Sequence, residues 1–178
     1  MKKWQYVLIG VFVLLIPAFL WGRKRTSIQQ IIKSDFEENK SGESRNVRNN
    51  NAGNIKISNS AWIGKVPNSK NTDGTFEQFY EKKFGDRAMI KLIRNYIKSG
   101  YDTLDKIVSR WAPNSENPTS SYKLYVVNES GLMPDEQIGY NDKEKIESLV
   151  MAMADFEALP QDRPVITEDQ FEQAYAIL

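Results

Sequence analysis

"FGDRAMIKLIRNYIKSG", residues 84–100, is the stretch that decides the fold class. Its apolar side chains recur every three or four residues, and a glycine follows them as a natural helix C-cap. One helical face is formed by Phe84, Ala88, Leu92 and Tyr96. The pattern predicts an amphipathic helix that buries this face against a core.

Further helices are predicted on the C-terminal side of this stretch. Thr103 can cap a second helix, Pro118 can stand in the first turn of a third, and Asn141 or Asp142 can cap a fourth. A capping-box pattern at Thr167 precedes a last short helix over residues 171–177. The spacing therefore predicts a mainly α domain.

Strand signals are confined to the N-terminal side of the same stretch. The segments "NIKIS" (residues 54–58) and "AWIGKV" (residues 61–66) are extended in character and could pair as a small hairpin. We therefore expect a minor β-hairpin or loop beside the helices.

The N-terminus predicts a membrane anchor. No charged residue lies between Trp4 and Gly22, and aromatic residues stand at both ends of this apolar run. A secretory signal peptide is the alternative, but bulky side chains occupy the positions where a peptidase needs small ones. We expect one uncleaved transmembrane helix with the soluble domain on one side. Lysines and arginines flank both ends, so the charge bias leaves the orientation open.

The predicted organisation has four parts. Residues 1–25 form the transmembrane anchor, and residues 26–44 form a polar tether. Residues 45–159 form the helical domain, and residues 160–178 form a C-terminal extension with the last short helix.

Composition limits the chemistry of the chain. The 178 residues carry a net charge of +1 with both signs mixed, so nucleic acid is not expected as a partner. The absence of cysteine and histidine removes thiolate nucleophiles, imidazole bases and the usual zinc ligands. We expect no metal and no cofactor, and any catalysis must use carboxylates, hydroxyls, amides or basic side chains.

Several motifs resemble a family of small phage and prophage proteins usually labelled virion or structural proteins. The pattern runs from "RNVRNNNAGNIKIS" (residues 45–58) through "RWAPNSEN" (residues 110–117) to "LVMAMADFE" (residues 149–157). The resemblance implies a virion component, with the capsid or other virion proteins as partners. It also implies that the predicted transmembrane helix lies in the virion membrane or the host inner membrane.

A fainter similarity points to bacterial peptidoglycan glucosaminidases and related lysozyme-like enzymes. Residues 50–56, "NNAGNIK", and residues 62–64, "WIG", are similar to two of their segments. In those enzymes the helix with the catalytic glutamate precedes the asparagine loop, whereas "KIESLVMAMADFE" (residues 145–157) follows it here. A circularly permuted lysozyme-like domain would reconcile the order, and the similarity implies peptidoglycan as a partner.

Glu157 is the candidate general acid. Ile146, Val150 and Met153 share its helical stripe, so the pattern places a carboxyl where an apolar side chain is expected. A carboxyl in such surroundings could protonate a glycosidic oxygen. The alternative is a side chain in the last helical turn that points to water.

A glycosidase would need a second carboxylate across the sugar, whereas a lytic transglycosylase would not. Glu116 and Asp73 are the candidates, each in a turn-forming sequence. The alternative reading is that both are ordinary turn residues, with Glu116 clamping a helix connection beside Arg110.

Six residues are candidates for binding the sugar. Amide side chains offer a donor and an acceptor to acetamido and hydroxyl groups, and aromatic rings can stack on sugar faces. The set comprises Asn50, Asn51, Asn54, Trp62, Tyr96 and Tyr122. Alternatively, the asparagines serve only to hydrogen-bond their own loop.

The sequence thus predicts a membrane-anchored phage virion protein whose domain binds or cleaves peptidoglycan when the phage enters or leaves its host. The alternative is a non-catalytic virion structural protein that links an internal membrane to the capsid or to a spike complex.

Overall fold

The computed structural model describes residues 42–115 and 119–178, which form six α-helices and two short 3-10 turns. The 3-10 turns are Asn68–Lys70 and Pro160–Asp162. The helices are α1 Arg45–Arg48, α2 Lys82–Lys98, α3 Leu104–Trp111, α4 Thr119–Ser130, α5 Lys143–Phe156 and α6 Glu168–Tyr175.

The helix starts follow the capping residues. The Thr103 side chain accepts from the backbone N–H of Lys106 at the start of α3. Asp142 caps α5 in the same way, and Thr167 forms a reciprocal capping box with Gln170 at α6. The predicted helices are present, although the last one runs over Glu168–Tyr175 instead of residues 171–177. They could be predicted because caps are local features of a sequence.

The core lies around α2. This helix packs against α3, α5 and α6, while α4 packs against α3 and α5. The largest fully buried apolar side chains come from all of these helices and their connections, among them Met89, Ile93, Leu104, Ile107, Tyr122, Leu149, Met153 and Phe171. Each such side chain contributes about 1.5–3 kcal/mol by leaving water, so the helix faces stabilise one common core.

The predicted hairpin is wrong. The part of the chain that the structure describes contains isolated β-bridges and no strand. Lys56 is bridged to Phe76, and Lys65 is bridged to Phe79, so the two segments flank residues 75–79 instead of pairing with each other. Hydrogen bonds from Glu77 N to Ile55 O and from Val66 N to Gln78 O, both 2.8 Å, hold this layout.

The predicted membrane anchor at Trp4 to Gly22 lies outside the described residues. Across residues 42–115 and 119–178, every helix is too short or too polar to span a bilayer. The longest of these, α2 with 17 residues, carries charged side chains along its length, whereas a spanning helix needs about 20 apolar residues. The structure therefore corrects the predicted fold class in its transmembrane helix, and it corrects the single-pass localisation, whereas the mainly α character of the domain is confirmed.

The C-terminal helix packs on the domain itself. Phe171 of α6 is fully buried, and Arg87 of α2 donates from Nε to the backbone oxygen of Ile177 at 2.6 Å. The extension predicted over residues 160–178 thus shares the core of the preceding helices.

Candidate functional site

The first asparagines of the asparagine-rich segment, Asn46 and Asn49, hold the fold together. Asn46 donates from Nδ2 to the backbone oxygens of Ala52, at 3.0 Å, and Ala154, at 3.2 Å, which ties the segment to α5. Asn49 donates to Asp73 at 2.8 Å and accepts from Gln78 at 3.0 Å. Both asparagines are almost completely buried, so their amides replace backbone pairing inside the domain.

Asn51 completes this framework. It is fully buried, and its Nδ2 donates to the backbone oxygens of Ile55 and Glu77 at 3.0 and 2.9 Å. Its Oδ1 accepts from the backbone N–H of Ile55 at 3.0 Å. The Asn51 amide thus makes its hydrogen bonds within the fold, and it is too deeply buried to contact a ligand.

Two asparagines take the left-handed backbone conformation. Asn50 has φ 50° and Asn54 has φ 48°, which asparagine tolerates better than most residues. Asn50 also donates to the backbone oxygen of Phe79 at 3.1 Å. Gly53 serves close packing, because a Cβ there would lie 2.4 Å from the Trp111 ring. The loop conformation therefore brings Asn54 to the edge of a cavity.

This cavity has a volume of about 770 Å³ and lies between the asparagine loop, α2 and the end of α3. We call it the Glu157 cleft, because Glu157 at the C-terminal end of α5 forms part of its wall. The lining combines one amide, two cations and three aromatic rings, namely Asn54, Lys56, Arg110, Phe76, Tyr96 and Trp111.

Glu157 is half-buried and accepts hydrogen bonds at both carboxylate oxygens. Asn54 Nδ2 donates to Oε2, and the Tyr122 hydroxyl donates to Oε1, each at 3.0 Å. The side chain therefore points into the domain beside Asn54 and not into bulk water.

Tyr122 positions Glu157. Its ring is buried and stacks on Phe156 with centroids 4.0 Å apart, so it has no face for a sugar. Burial, the nearby Glu157 charge and the hydrogen bond to Glu157 raise the pKa of Tyr122 well above its ordinary value. The phenol thus remains a proton-bearing donor to Glu157 at any physiological pH.

An aromatic row runs from the cleft towards the surface. The Tyr96 ring lies 6.3 Å from Trp111 and 6.2 Å from Tyr101, between centroids. The Arg110 guanidinium lies 5.7 Å from the Tyr96 centroid and 5.6 Å from the Tyr101 centroid. Tyr96 and Trp111 thus form an apolar part of the cleft lining, and Arg110 lies beside them as a cation.

Three of the predicted site residues lie elsewhere or outside the described chain. Asp73 binds Arg45 at 2.7 Å and caps the turn at Phe76 N, away from the cleft lining. Trp62 packs against the core and does not line the cleft. Glu116 falls in residues 116–118, which the structure does not describe. Catalytic and binding roles for them stay predictions.

The structure thus brings together Asn54, Tyr96 and Glu157 from the predicted set and adds residues that the sequence did not indicate. Phe76, Arg110 and Trp111 line the cleft as well. Trp111 follows the apolar stripe of α3, so its spacing indicated a core residue. Within the described chain, no group of three or more acidic side chains is placed to hold a metal ion.

Comparison with known proteins defines the class as a phage structural protein. No protein-family model matches the chain. Protein P5 of Pseudoalteromonas phage PM2 is 35% identical over 117 residues, which cover 64% of this chain and 70% of that protein. The chain belongs to the family of this Protein P5. The phage structural part of the sequence resemblance is therefore confirmed, while the lysozyme-like part stays a prediction.

Proposed function

We propose that this phage structural protein binds the glycan strand of peptidoglycan in the Glu157 cleft without cleaving it. The family match is consistent with contacts to other virion components. One observation carries the proposal: Tyr96 and Trp111 present adjacent rings in a cavity that also holds the Asn54 amide and the Glu157 carboxylate. Apolar faces beside a few fixed polar groups are the usual lining of a site for small polar ligands such as sugars.

The geometry of Glu157 favours binding over cleavage. A general acid must present a proton to the leaving oxygen, whereas both carboxylate oxygens of Glu157 already take part in hydrogen bonds with Asn54 and Tyr122. Among the described lining residues it is also the one carboxylate, so no second acid faces it there. A carboxylate oxygen suits hydrogen bonds from sugar hydroxyls.

The binding test compares two tyrosines of the full-length chain. Tyr96→Leu removes a cleft ring, and we expect about tenfold weaker binding to purified peptidoglycan sacculi in a sedimentation assay. Tyr140→Leu is the matched control, because Tyr140 also lies under an arginine, with Arg94 4.1 Å from its centroid, but does not line the cleft. Equal binding of both variants and the parent protein would refute the cleft as the glycan site.

Cleavage by Glu157 is the second candidate, favoured by the position of this carboxylate beside Asn54 on the cleft wall. The same sacculi can be assayed for released reducing ends and muropeptides. The proposal predicts no release. Release by the parent protein that Glu157→Gln abolishes would establish the enzyme instead.

A further inference from the structure

Arg110 is an exposed cation whose position is fixed by aromatic rings. Its guanidinium lies over Tyr96 and Tyr101 at the rim of the Glu157 cleft. No carboxylate of the described residues forms an ion pair with it. Most other arginine and lysine side chains with a fixed position here pair with an acid or a backbone oxygen, so Arg110 differs from them.

Arg110 also forms a side-chain hydrogen bond with Tyr96, which uses one of its N–H groups. A guanidinium carries five N–H groups, so others stay available, and a pair of them matches the two oxygens of a carboxylate. Pre-positioning lowers the entropy lost when such a bond forms.

The cleft lining therefore offers two kinds of chemistry. Asn54 and Glu157 suit hydroxyl and amide donors, whereas Arg110 attracts an anion. A neutral sugar chain would use the first kind only. A sugar that carries an acidic peptide would use both.

We infer that the cleft binds the muramyl-peptide unit of peptidoglycan, with Arg110 binding a carboxylate of the peptide stem while the sugar lies against Tyr96 and Trp111. This inference rests on the proposed glycan binding and adds the anionic part of the ligand. According to this inference, Arg110 is the residue that makes the cleft bind peptidoglycan more tightly than uncharged glycans.

The test uses the full-length chain and two soluble probes that differ in one group. Muramyl dipeptide carries a free carboxylate, and its amidated counterpart carries a neutral amide on the same skeleton. By calorimetry at low salt we expect the acid to bind at least about tenfold more tightly than the amide. Added salt should reduce this preference, because it screens the charge on Arg110.

Arg110→Gln should remove the preference for the acid and leave the amide bound within about threefold. Arg94→Gln is the matched control, since Arg94 also lies over tyrosine rings, 4.1 Å from the Tyr140 centroid, but outside the cleft. It should keep the full preference.

The outcomes separate the two proposals. Equal binding of acid and amide by the parent protein overturns the anion inference, while sacculi binding through Tyr96 still supports glycan recognition. A preference that survives Arg110→Gln overturns the role of Arg110. Failure to bind either probe or sacculi overturns the proposed function and this inference with it.

Discussion

Replacing Gly85 by alanine should destabilise the domain by at least about 3 kcal/mol. A Cβ at this position would lie 1.7 Å from the backbone oxygen of Asn50, so α2 and the asparagine loop could not keep their present contact. Alanine favours helix over glycine by about 1 kcal/mol, and this gain is too small to offset the clash. Urea unfolding of the full-length chain, followed by circular dichroism, measures the change.

Gly139→Ala is the control for this substitution. The nearest side-chain atom to a Cβ there is the Asp142 Cβ at 3.6 Å, an ordinary contact, and the residue does not need a positive φ. We expect a change within about 0.5 kcal/mol. A Gly85→Ala protein as stable as Gly139→Ala would contradict the close packing of α2 on the loop.

Asp86→Asn should stabilise the domain at neutral pH by up to about 3 kcal/mol. Asp86 is fully buried in α2; burial raises its pKa from 3.8 to about 6, although the Lys82 ammonium, 2.5 Å away, partly opposes the rise. The rise corresponds to about 1.4 kcal/mol per pKa unit. Lys82 is partly exposed and can turn to water in the variant.

The direction of the pKa shift of Asp86 determines the pH range in which Asp86→Asn stabilises the domain. A carboxyl with a raised folded pKa contributes stability that is complete below its unfolded value, near 3.8, and is lost as the pH rises through about 6. The gain from Asp86→Asn should therefore be largest at pH 7 to 8 and small near pH 4. Urea unfolding over this pH range measures it.

Asp73→Asn supplies a control of opposite sign. Burial alone would raise the pKa of Asp73, but hydrogen bonds from Arg45, Asn49 and Phe76 N and the Arg45 charge lower it to about 2. That carboxylate contributes stability above pH 3.8 that is lost as the pH falls towards 2. Asp73→Asn should thus destabilise the domain at pH 7 by up to about 2 kcal/mol. Stability changes of the same sign in both variants would contradict this assignment.

The helices could be predicted from the sequence because their determinants are local. Thr103, Asp142 and Thr167 cap the helices that they precede, and apolar spacing marks the buried faces. The hairpin prediction was wrong because strand pairing is not determined locally. Its two segments pair with residues 75–79, a choice among distant partners that depends on the Asn51 amide and on Glu77, fully buried between them.

The site was predictable only in part. The stripe of α5 indicated that Glu157 faces inward, and the structure places it beside Asn54 of the amide-rich loop. The cleft itself joins three separate stretches, residues 53–56, 92–96 and 110–113, with the single residues Phe76 and Glu157. No periodic pattern connects residues so far apart, so Arg110 and Phe76 could not be assigned to it from spacing.

The two bonds donated by Asn46 have a consequence for recognition. One carbonyl belongs to the loop that carries Asn54, and the other belongs to the helix that ends at Glu157, so a single amide holds together the two segments that place Asn54 and Glu157 side by side in the cleft. A ligand would therefore enter a preformed binding site. Its association should accordingly proceed without backbone rearrangement, at a rate governed by diffusion and charge attraction.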